Sequence, residues 1–104
     1  MTNLSVGKRF VIARLEWLIA EPTNSPSAGI TAYREQIGTE DLFSVFVRFQ
    51  QTTTSSEVWS EAKIFALVEE MESRLPTIGG RLVLTAGEMP VAIAEVILDS
   101  REVV

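Results

Sequence analysis

Few residues in this chain have the types and spacing needed for chemistry. Ser60-Glu61-Ala62-Lys63 matches Ser-x-x-Lys, in which a lysine on the same helical face activates a serine nucleophile, but the companion motifs of that chemistry are absent. Carboxylates gather at Glu40-Asp41 and at Glu69, Glu70 and Glu72, and two converging acids can hydrolyse a glycoside or hold Mg²⁺. The plainer reading of the same residues is a solvated helix face and a loop. Arg14, Glu16, Arg34 and Glu95 fall on expected strands, where a structural ion pair outweighs a general acid or base. Gly79-Gly80 lacks both the spacing and the lysine of a phosphate-binding loop. The 104 residues include no Cys and no His, which excludes thiol nucleophiles, Cys or His zinc sites, histidine bases and Ser-His-Asp triads. No catalytic residue, cofactor or metal site is therefore expected.

Composition sets the frame that must position any site. With 46% hydrophobic and 22% charged residues, the chain reads as one globular domain spanning residues 1–104. A formal charge of −5 and a pI near 4.7 oppose the approach of phosphate backbones, so nucleic-acid binding is disfavoured. Lys8-Arg9 is the only adjacent basic pair, and a basic patch would have to be assembled by folding. No stretch approaches the roughly 20 apolar residues that span a bilayer, and the N-terminus lacks the regions of a signal peptide. A cytoplasmic location without membrane contact is expected, and the Asn3-Leu4-Ser5 sequon carries no weight without a secretory route.

Apolar periodicity then supplies the elements. In residues 9–19 the positions Val11, Ala13, Leu15, Trp17 and Ile19 form one dry face, while Phe10, Ile12 and Leu18 suggest partial cover on the other. The Pro, Asn, Ser and Gly of residues 21–29 mark a loop. A moderate strand signal over 30–37 centres on Tyr33, and residues 42–50 alternate clearly, with Phe43, Val45, Val47 and Phe49 on one side. Residues 57–75 carry two competing periods: Ile64, Leu67, Val68, Met71 and Leu75 fit a long helix, whereas residues 58–66 alternate like a strand. Residues 81–86 and 91–98 read as a hairpin around Gly87, the second arm being apolar enough for burial on both faces.

At this hairpin the residues resemble a known family. Gly80-Arg81-Leu82-Val83-Leu84-Thr85-Ala86-Gly87-Glu88, followed by Val91-Ala92-Ile93-Ala94-Glu95-Val96, and the earlier Ala32-Tyr33-Arg34-Glu35-Gln36, are similar to the C-terminal third domain of elongation factor Tu. The resemblance covers about residues 8–98. It implies an all-β, mainly antiparallel fold: a small six-stranded, closed or partly closed β-barrel. Residues 57–67 are then a strand, and one short helix lies near residues 68–75, with Val68, Met71 and Leu75 capping one end of the core. The resembled domain also contacts RNA, but the acidic charge and Glu35, at the position of the family's proline, argue against that role. No phosphate-binding loop accompanies the barrel, so GTP hydrolysis is not implied.

The expected function is a non-catalytic protein-interaction module with an unidentified protein partner. Tyr33, Arg34, Gln36 and Trp59 are the candidate interaction surface, Trp59 because an exposed indole is a frequent anchor. The alternatives are a small carboxylate-dependent or metal-assisted enzyme, an immunity- or antitoxin-like inhibitor that neutralises a cationic protein through the acidic residues, and a subunit of an assembly.

Overall fold

Large inward side chains opposite small ones are what let so few strands close on themselves. In the computed structural model of the chain, residues 7–19, 30–50 and 61–102 are described. They form β1 (Arg9–Trp17), β2 (Ile30–Arg34), β3 (Phe43–Gln50), β4 (Glu61–Ala66), β5 (Arg81–Ala86) and β6 (Met89–Arg101). The strands close into a barrel in the order β1-β4-β3-β2-β5-β6, every pairing antiparallel. A six-stranded barrel is narrow, so its inward positions must alternate in volume. They do so at four cross-strand pairs, with Leu82 opposite Ala94, Leu84 opposite Ala92, Phe49 opposite Ala62 and Val45 opposite Ala66. Ile64 sits between Val11 and Val47, all three fully shielded from solvent.

The barrel and its antiparallel strands agree with expectation, and residues 61–66 are strand, not part of a long helix. Several boundaries differ. β1 ends at Trp17, leaving Leu18 and Ile19 exposed beyond it. β2 ends at Arg34 because residues 35–37 turn back, with Ile37 and Gly38 N–H groups donating to the Arg34 carbonyl. The segment after β4 is a 3₁₀ helix, Glu69–Arg74; Met71 within it and Leu75 just after it reach the core, but Val68 just before it does not, being 46% exposed. β6 is covered on both faces only at its start, where Val91 and Ala92 are both buried, and not from Glu95 onward. Its pairing with β1 shifts between Ile12 and Ala13, which leaves Ile97 as a bulge residue, and both Ile97 and Leu98 face outward. The expected loops at 21–29 and 51–56 and the expected strand start at 57–60 lie outside the described residues.

One barrel end is stoppered by this 3₁₀ segment. Val11 is paired with Asp99, so Arg9 and Asp99 share the inward face at that end, where the Arg9 guanidinium binds both Asp99 oxygens at 2.9 and 3.0 Å. The same guanidinium donates to the carbonyls of Glu72 at 2.7 Å and Pro76 at 3.1 Å, fixing the plug from one side. On the other side Arg74 donates to the Asp41 carbonyl at 2.9 Å.

The turn that brings Asp41 there depends on Gly38, whose φ of 101° and ψ of −170° belong to a region essentially reserved for glycine. A Cβ at Gly38 would meet nothing within 4 Å, so any cost is in the backbone alone. Gly38→Ala is expected to destabilise by about 1–2 kcal/mol, read as a lower urea midpoint with an unchanged slope.

Candidate functional site

Alternation along β2 sends two of the expected surface residues in opposite directions. Arg34 has the same parity as inward Ala32, and at the barrel end its guanidinium binds Asp41 through two bonds of 2.9 and 2.8 Å. Asp41 also accepts the Arg34 backbone N–H at 3.0 Å. Arg34 thus braces the turn that follows it. Tyr33 points outward and lines a cavity of about 320 Å³ with Thr39, Leu42, Thr85 and Pro90. Gln36 is exposed on the turn and borders a separate cavity of about 350 Å³ beside Arg34, Ser73, Thr77 and Arg81. Trp59 lies outside the described residues. Tyr33 and Gln36 therefore do not share one cavity.

The carboxylates singled out from the sequence divide in a similar way. Asp41 is held by Arg34 and Arg74, and Glu72 accepts the Arg9 backbone N–H and lies 3.4 Å from Arg101. Glu40, Glu69 and Glu70 remain exposed. Among the described residues no three carboxylates converge, and no buried side-chain polar atom lacks a partner. Lys63 of the Ser-x-x-Lys match lies on strand β4, whereas Ser60 is outside the described residues.

The outer face of β1, β4 and β3 carries a constellation that residue-by-residue reading missed. Phe65 is directly opposite Phe46 across β4 and β3, and Phe10 joins it from β1. Ring centroids are 5.7 Å apart for Phe10 and Phe65 and 6.2 Å for Phe46 and Phe65, with interplanar angles of 48° and 58°. Such tilted pairs stabilise one another while leaving ring surface open, and Phe46 is 40% exposed. The Lys63 ammonium stands 4.2 Å from the Phe10 centroid and 5.3 Å from that of Phe65, and pairs with Glu102 at 3.3 Å. Beside these rings a groove of about 280 Å³ is lined by Lys8, Phe46, Arg48, Phe65, Leu67 and Glu102.

A signal for this face was present in the sequence. Phe46 falls in the polar half of the β3 alternation, between Ser44 and Arg48, and Phe65 and Phe10 fall on the non-core side of their own strands. An apolar ring out of phase on one strand is ordinary. Three on strands that become neighbours form a patch, and only the strand order reveals the adjacency.

Comparison of the chain with protein-family models, with curated proteins and with solved structures gave no match. Among the described residues, no helix is long and apolar enough to cross a membrane.

Proposed function

We propose that this chain is a non-catalytic protein-interaction module that docks a partner on the outer face of β1, β4 and β3. One observation carries the reading: Phe10, Phe46 and Phe65 cluster outside a barrel whose interior is already filled. Apolar residues that face solvent contribute little to the core. A contiguous aromatic patch rimmed by charges is characteristic of a binding surface. Exposed Leu67 and Leu98 extend the apolar area, at 55% and 44% exposure. The closed barrel supports the reading further, since rigid strands hold the rings in place without ordering cost on association. It is also the architecture implied by the resemblance to the third domain of elongation factor Tu, a docking scaffold without the nucleotide chemistry.

Affinity capture from native lysate with the wild-type chain and the Phe46→Ser variant tests the proposal. A protein recovered by wild type should fall by at least about tenfold with Phe46→Ser, the scale expected for an aromatic anchor, while Tyr33→Phe retains it. Recovery indifferent to Phe46, or recovery of RNA in place of protein at physiological salt, would contradict the assignment.

A further inference from the structure

We infer that the docking face takes an acidic peptide segment bearing apolar or aromatic side chains; this rests on the interaction reading above and specifies its partner. The first support is an unbalanced charge. Arg48 and Lys63 are directly opposite across β3 and β4, an arrangement that is unfavourable for like charges unless an anion intervenes. Glu102 answers Lys63 alone. Among the described residues no carboxylate pairs with Lys8 or Arg48, although both line the groove and both are exposed. Among the described residues, two cations, Lys8 and Arg48, line the groove against the single carboxylate of Glu102, which already pairs with Lys63, in a chain whose total charge is −5.

The second support is the shape of the aromatic floor. Planes tilted by 48° and 58° do not form a continuous platform for successive stacked bases, whereas the open part of the Phe46 ring, 40% exposed, offers apolar surface to an aliphatic or aromatic side chain. Charge points the same way. A long polyphosphate would meet the remaining acidic surface, whereas a short acidic segment feels mainly charges within a Debye length of about 8 Å. The groove supplies apolar burial from Phe46, Phe65 and Leu67, and its rim supplies carboxylate contacts from Lys8 and Arg48.

Three capped peptides provide the test, sharing the same Leu and Trp residues and differing only in whether the positions between are Glu, Ser or Lys. Fluorescence anisotropy with the full chain should show the Glu peptide binding about tenfold tighter than the Ser peptide and the Lys peptide weakest, the spread shrinking as salt rises. Arg48→Glu should abolish the preference for Glu, while Phe46→Ser should weaken the Glu and Ser peptides alike. Equal binding of Glu and Ser peptides by wild type overturns the acidic assignment and leaves the docking face standing. Binding unaffected by Phe46→Ser overturns the docking face itself. Binding of no peptide, with or without retention of an oligouridylate or of phosphatidylserine vesicles, overturns the peptide assignment.

Discussion

Replacing Asp41 by alanine is expected to destabilise the barrel by about 2–3 kcal/mol, because one carboxylate ties together β2, the turn after it and the plug. Its side chain is 5% exposed and holds the Arg34 guanidinium through both oxygens, the Arg34 backbone N–H, and Arg74 at 3.8 Å. Breaking a fully buried pair typically costs about 3–5 kcal/mol, the stranded charge being the larger share. Here the stranded partners are Arg34 and Arg74, whose side chains are 35% and 32% exposed, so water recovers part of that loss. The measurement is equilibrium urea unfolding at neutral pH. A variant within about 0.5 kcal/mol of wild type would show that the plug is held elsewhere.

The same carboxylate sets a pH dependence with a definite sign. Hydrogen bonding from Arg34 holds the Asp41 carboxyl below the usual carboxylate range, against an upward push from burial. A folded-state value below the unfolded one means that the contribution is fully present above the unfolded value and is lost as pH falls through the folded value. Asp99 behaves likewise, lowered first by its bond to Arg9, so both anchors of the plug weaken on acidification. Urea midpoints should therefore decline from about pH 4 downward, and Asp41→Asn should flatten that decline while lowering stability at neutral pH.

The barrel was legible where one side of a strand was unambiguous. Val11, Ala13, Val45 and Val47 repeat every second residue, and their dry face is the one buried. Residues 61–66 were ambiguous because Ile64, Met71 and Leu75 also fit a helical stripe. The strand prevails because β1 and β3 both offer ladder partners to β4, and closure leaves no edge unpaired. Boundaries failed where contacts beyond strand propensity set them: β2 stops at Arg34 because residues 35–37 turn back onto its carbonyl and Asp41 holds its backbone N–H. The candidate site was the least legible. Tyr33, Arg34 and Gln36 drew notice as a motif, yet Arg34 serves the fold. The outer-face rings, exposed at Phe46 and half-buried at Phe10 and Phe65, are dispersed over 56 positions and become neighbours only through the β1-β4-β3 order.

Ile64 and Phe65 are adjacent in sequence but face opposite sides of β4, and that contrast yields the largest expected effect. Ile64→Ala should cost about 3–5 kcal/mol, the upper part of the usual range for such truncations. The side chain is fully shielded between Val11 and Val47, and the barrel around it is hydrogen-bonded through both neighbouring strands, so the walls have little freedom to collapse into the space. A loss of that size approaches the whole stability of a marginal domain of about 5–15 kcal/mol, and partial unfolding at 37 °C is the expected phenotype. On the outer face, Phe46→Ser removes a ring that is 40% exposed, and the loss should stay below about 1.5 kcal/mol, mostly from its contact with Phe65. Urea midpoints for the two variants therefore separate the roles of the two faces. If Phe46→Ser destabilised as much as Ile64→Ala, the outer rings would be a second core rather than a docking surface, and reduced partner recovery by that variant would report unfolding instead of lost contact.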